Sequence, residues 1–211
     1  MIINQAPQHQ AVISNVESTG NFAMKPSPKA FQILSSSLYA NKIKAIIREL
    51  SCNAVDSHVA AGKADVPFTV HLPNSIEPFF SIRDYGTGLS KDQVLNLYVT
   101  YFDSTKADSN DYIGAMGLGS KSPFSYTDNY SVTSIKDGIK GLYTAYIDDT
   151  GLPSIALMTE CETDEPNGVE VKFAVNNSSD FYKFEREAIE VFTYFTLKPE
   201  IFQLFLFKLI P

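Results

Sequence analysis

The chain has 211 residues, 44% of them hydrophobic, 19% charged and 12% aromatic. That composition excludes disorder and a fibrous repeat, and it leaves room for one large or two small domains with a substantial apolar core. A net charge of −7 argues against a dedicated nucleic-acid binder, which would show a basic face, while two cysteines, Cys52 and Cys161, are too few for a disulfide framework and fit a reducing compartment.

Residues 1–25 are rich in Pro, Asn, Gln and Gly and read as an extended arm, with a strand at "AVISNVE" and without the basic start and long apolar run of a signal peptide. Two helices follow, over 26–39 and 41–62, the second closed by Gly62. "PFTVHL" (67–72) and "PFFSIRD" (78–84) read as a hairpin around a Pro-Asn-Ser turn. Ser90 is placed to cap a helix over 90–102, and the polar, Gly-rich 103–120 reads as a loop. Strands are expected near 129–135, 141–147, 154–160 and 168–175, with turns at Asp137-Gly138, Asp149-Thr150-Gly151 and Asn167-Gly168. A helix over 180–197 ends before Pro199, and "EREAIE" within it reads as a solvated face. The apolar "IFQLFLFKLI" (201–210) is too short to span a bilayer; a last core strand or helix, a docking surface and the cut edge of a longer protein fit it equally. Helices, then a meander of strands, then a helix make an α+β sandwich, one sheet with helices on one face.

Three stretches carry chemistry. In "RELSCNAVDSH" (48–58), Glu49, Asn53 and Asp56 fall within an arc of about 60° on a helix, roughly 110° from the apolar stripe of Ile43, Ile47, Leu50 and Ala54. The trio therefore sits on the shoulder of the buried face, at the rim of a pocket; taken alone it also fits a solvated flank. In "SIRDYGTGLS" (81–90), Asp84 ends a strand and Gly86 and Gly88 follow. A buried carboxylate there can accept a hydrogen bond from an exocyclic amine, and the glycines permit a tight turn and close backbone approach. In "GAMGLGSKSPFS" (114–125), Gly114, Gly117 and Gly119 precede a helical start whose N–H groups suit phosphate oxygens. No strand leads into that run, as a dinucleotide fold requires, and Lys121 is not in the P-loop arrangement, so a lid covering phosphates is the better reading. His9, His58 and His71 are scattered and form no metal cluster; His58 reads as a partly exposed surface residue, and the aromatics as core.

The order Glu-x-x-x-Asn-x-x-Asp, Asp-x-Gly-x-Gly, Gly-x-x-Gly-x-Gly resembles the GHKL ATPase superfamily, which includes the B subunit of DNA gyrase, the large heat-shock chaperones and histidine kinases. Over roughly 25–175 the chain is more closely similar to the N-terminal part of phage rIIA lysis-inhibition proteins, through "FQILSSSLYANKIKAIIREL", "RDYGTGLS", "YFDSTKADSNDYIGAMGLGSKSPFSYTD" and "GLYTAYIDD". The resemblance implies a two-layer α/β sandwich of the Bergerat type, with a mixed, mostly antiparallel sheet. It implies an ATP-binding domain over 26–211 with a lid at about 92–119, ATP and Mg²⁺ as ligands, and slow ATP hydrolysis. Glu49 then matches the general base and Asn53 the Mg²⁺ ligand. Asp56 matches the adenine side of the pocket, Asp84 the acceptor of the adenine amine, and Gly86, Gly88 and Leu89 the turn and apolar residue under the base. Gly114, Gly117, Leu118 and Gly119 match the lid end around the phosphates, with Ser120 and Lys121 as further contacts. Relatives often carry Gly-Thr at a late strand start, where this chain has Val169. The resemblance also implies a homodimer through the arm 1–25, a host or phage protein partner, and a place in the cytoplasm of an infected cell, with peripheral membrane association as an alternative. A nucleotide-gated interaction module with little turnover is the second reading.

Overall fold

The computed structural model describes residues 27–33, 39–98 and 119–202. The arm 1–25, the segment 99–118 with Gly114, Gly117 and Leu118, and the apolar 203–210 lie outside them.

Helix α1 (Pro28–Gln32) starts where the Ser27 hydroxyl accepts the Ala30 N–H at 3.2 Å and Pro28 supplies a first-turn residue with no N–H to satisfy. Helix α2 (Lys42–Ala60) is capped by Asn41, whose side chain accepts the Lys44 N–H at 3.1 Å, and ends at Gly62. Helix α3 (Phe181–Thr193) stops four residues short of the expected end. Phe195 turns inward there, 6.1 Å from the Phe68 ring and 5.7 Å from Phe192, so packing ends the helix before Pro199 can.

The strands are β1 (Thr69–His71), β2 (Phe79–Arg83), β3 (Asn129–Lys136), β4 (Ile139–Ile147), β5 (Pro153–Glu162), β6 (Gly168–Ala174) and β7 (Glu200–Phe202). They form one open seven-stranded sheet in the order β5-β4-β3-β6-β2-β1-β7. Every pairing is antiparallel except β1 with β7, so the sheet is mixed and mostly antiparallel, as expected. The β3–β4 hairpin turns on Asp137 and Gly138 at φ of 52° and 81°, the left-handed pair that matches strand twist.

Alternation along the strands sorts the two faces. Phe80 and Ile82, Val171 and Phe173, Tyr130 and Val132, and Tyr143 and Ala145 share one buried cluster with Ile46, Ile47, Leu50 and Ala54 of α2 and Phe184, Ala188 and Phe192 of α3. Phe184 lies 5.0 Å from Phe80, which puts α3 on the same face as α2. The arrangement is α+β, with the core between one helical layer and one sheet. Phe80 and Phe124 are core residues, as read from the sequence.

Three local expectations change. Ser90 does cap the next segment, exchanging bonds with Gln93 (Gln93 N–H to Ser90 Oγ at 3.3 Å, Ser90 N–H to Gln93 Oε1 at 2.9 Å), but Gln93–Tyr98 winds as a π-helix rather than an α-helix. Gly119–Ser125 is a 3₁₀ turn rather than the start of an α-helix, and it carries Pro123, which has no N–H to give an α-helical ladder. The "EREAIE" stretch is not wholly solvated: Glu187 is 3% exposed, buried beside the Arg186 guanidinium that ion-pairs with it. Among the described residues no helix is long and apolar enough to cross a membrane.

Candidate functional site

Helix α2 supplies most of the site. Its apolar residues are held by the core, which orients the remaining sides. Glu49 and Asn53 are half-buried on the shoulder, as the helical geometry requires. Asp56 is not: it is 0% exposed, so it lies inside the packing instead of on a rim. Ser57 continues the four-residue spacing of Glu49 and Asn53 and shares their side of the helix.

At one end of this side, Glu49 Oε1 accepts from Arg48 Nη2 at 2.6 Å. Its other oxygen and Asn53 face the backbone of Gly119. A Cβ on Gly119 would lie 2.9 Å from Glu49 Oε2 and 3.4 Å from Asn53 Nδ2, so a side chain there would press on both groups. The 3₁₀ turn that follows packs against α2. Within it Ser120 accepts the Tyr130 hydroxyl on its carbonyl at 3.1 Å, and Lys121 is buried at 6% exposure, not extended into solvent.

At the other end sits Asp84, 6% exposed, just past the end of β2. Its Oδ1 accepts the Ser57 hydroxyl at 3.0 Å and the Gly86 N–H at 2.9 Å. Its Oδ2 accepts no hydrogen bond from the described residues. Burial pushes the carboxyl above the ordinary carboxylate range, and the Gly86 and Ser57 donors, with Arg83 nearby, pull against it. A buried acceptor with one oxygen saturated and the other open is suited to an incoming N–H donor.

The glycines of the turn also serve its packing against the rest of the fold. A Cβ on Gly86 would fall 2.2 Å from Ser57 Oγ, and one on Gly88, at φ 64°, would fall 1.9 Å from the Ile135 carbonyl oxygen. Both allow the turn to lie against its own scaffold, between α2 and the end of β3. Gly168, at φ 147°, takes the same part from β6, where a Cβ would sit 2.0 Å from the Asp84 carbonyl oxygen. Leu89 packs on the core cluster, and its N–H and C=O both bond Ser134 Oγ at 2.8 Å. Val169 accepts the Asp84 N–H on its carbonyl at 2.9 Å and places no hydroxyl beside it.

Three residues that fasten this turn escaped the sequence reading. His58, expected at the surface, is 2% exposed. Its Nδ1 donates to the Val66 carbonyl at 2.8 Å, and its Nε2 accepts the Tyr85 N–H at 2.7 Å, so the ring is held as one neutral tautomer. Lys63 Nζ donates to the Tyr85 carbonyl at 2.8 Å. Ser57 had a signal in its spacing from Asn53; the partners of His58 and Lys63 are backbone groups, which leave none. Among the described residues no three His, Cys, Asp or Glu side chains group to hold a metal.

No family model matches the chain. It is similar to the chaperone protein HtpG of Rickettsia massiliae (strain Mtu5), at 26% identity over 177 residues, covering 73% of this chain and 28% of that protein. The chain thus spans little more than a quarter of that relative's length, and the similarity supports the GHKL resemblance of the motifs.

Proposed function

We propose that this chain binds ATP with Mg²⁺ as a GHKL-type domain over 26–211 and hydrolyses it slowly. One observation carries the reading: residues from three stretches far apart in sequence meet on one side of α2. Gly119 lies against Glu49 and Asn53, and Asp84 bonds Ser57 one turn beyond Asn53. The similarity to a chaperone of the HtpG type points the same way.

In this reading the open Asp84 Oδ2 accepts the adenine amine, with Asp56, Gly86, Gly88 and Leu89 building the base end. The Asn53 amide oxygen is a hard ligand of the kind Mg²⁺ takes when phosphate oxygens and water complete its shell. Bound there, the ion would neutralise phosphate charge and polarise the terminal phosphoryl group. Glu49 holds a water in line with that group and takes its proton, through the carboxylate oxygen that Arg48 leaves free. Gly114, Gly117, Leu118 and Gly119 close the phosphate end as part of a lid over about 92–119, with Ser120 and Lys121 as further contacts.

The Arg48–Glu49 pair favours a second reading as well, since it occupies half of the proposed base: a nucleotide-gated interaction module in which lid and arm respond to ATP with little turnover. Both readings include pairing of two chains through residues 1–25, a host or phage protein partner, and an rIIA-like role in lysis or host defence inside an infected cell. Binding of ATP with and without Mg²⁺, together with phosphate release, tests the proposal on wild type and Glu49→Ala. Expected are Mg²⁺-dependent binding by both and a loss of about 10²–10⁴-fold in turnover in the variant. Absence of ATP binding by the wild-type chain refutes the proposal, and unchanged turnover in a variant that still binds removes Glu49 as the base.

A further inference from the structure

We propose that Ser57 is a positioning residue that sets purine selectivity, by holding the Asp84 carboxylate so that Oδ2 is presented to the exocyclic amine. The inference rests on the ATP-binding reading above and deepens it.

The Ser57 hydroxyl is committed on both sides. It donates to Asp84 Oδ1 at 3.0 Å and accepts the Thr87 N–H at 3.3 Å, so its one hydrogen points to the carboxylate. The turn is moulded onto it, since even a methyl group on Gly86 would overlap the hydroxyl. With Gly86 N–H as the second donor, Oδ1 is saturated, and rotation of the carboxylate would break both bonds. Oδ2 is left as the accepting atom.

Nothing else among the described residues gives Asp84 a side-chain hydroxyl. The register that pairs Ile82 with Val171 carries on to place Val169 opposite Asp84 on the core face, and Val169 contributes only its backbone carbonyl. The hydroxyl comes from the helix instead of the sheet. Its removal would leave a buried carboxylate with a single donor. The groups that favour its charged form would then be the Gly86 N–H and Arg83 on β2, the His58 ring on α2 being neutral, against the burial that favours the neutral acid. A neutral acid accepts an amine hydrogen less well than a carboxylate.

The test compares ATP with purine riboside triphosphate, which lacks the amine, by direct titration of wild type, Ser57→Ala and Ser57→Cys, each checked for a cooperative melt. Wild type is expected to prefer ATP. Ser57→Ala should weaken ATP by about tenfold, the scale of one hydrogen bond to a charged group, while the amine-free analogue changes by less than about twofold. Ser57→Cys, with a weak S–H donor of similar size, should fall between the two and serves if the alanine variant does not fold. Equal weakening of both nucleotides, or an unchanged ATP preference in a folded variant, overturns the role of Ser57 and leaves ATP binding standing. Binding of neither nucleotide by wild type overturns both.

Discussion

Replacing Asp84 by Asn exchanges one oxygen for an NH₂ group and keeps the shape. The asparagine carbonyl can still accept the Ser57 hydroxyl and the Gly86 N–H that Oδ1 accepts now, which turns the NH₂ into the position of Oδ2. An amine hydrogen of adenine then meets a donor where it had a charged acceptor. A hydrogen bond to a charged group contributes about 1.5–3 kcal/mol, so ATP should weaken by at least ~10–150-fold. A purine with a carbonyl at the same place gains a donor, so inosine triphosphate should lose less than ATP, or bind better than to wild type. Stability moves the other way. The folded-state pKa of Asp84 lies above its unfolded value, so ionisation in the folded protein costs stability: nothing below pH ~4, and the full amount once the pH has passed the folded pKa. Asparagine removes that cost. Its melting temperature should exceed that of wild type at neutral pH and converge with it towards pH 4. Titration calorimetry with both triphosphates and thermal melts across pH read the two effects. An asparagine variant that binds ATP within about twofold of wild type, with no shift towards inosine triphosphate, would refute Asp84 as the base-recognising group.

His58→Leu should remove both ring hydrogen bonds, at about 0.5–1.5 kcal/mol for each. Denaturant unfolding checks it, and a loss under 0.5 kcal/mol would show that the ring is not a fastening point. Gly88→Ala and Gly62→Ala form a matched pair, with φ of 64° and 68°, but the new methyl meets a carbonyl oxygen at 1.9 Å in the first and open space in the second. The Gly62 variant should lose about 1 kcal/mol and the Gly88 variant several times that, with ATP binding lost as well; equal losses would mean the turn can move off β3.

Much of the fold was legible because local signals set it. Alternating apolar residues and the dipeptides Asp137-Gly138 and Asn167-Gly168 marked β3, β4 and β6 to within two residues of their ends. Asn41 and Gly62 bounded α2, and their capping chemistry is local too. What escaped depends on contacts between distant segments. Helix α3 ends early because Phe195 packs on Phe68, 127 positions away in sequence, and strand β7 exists because β1 offers it an edge. The candidate site divides in the same way. Glu49, Asn53 and Asp84 stood out as polar residues in telling places. The burial of Asp56 and His58, and the bond from Ser57 to Asp84, come from how the 84–89 turn rests on α2.

The helix also works as a ruler. Asn53 and Glu49 stand about 6 and 12 Å along its axis from Ser57, and Ser57 is tied to the carboxylate at 84. Those intervals follow from the pitch of the backbone and do not depend on side-chain choice. Within the proposed function, whatever the carboxylate grips at one end must reach at least one full turn further to meet the amide, and two to meet the acid. Monophosphates and bare nucleosides would be told apart from triphosphates by their reach, before any lid has moved.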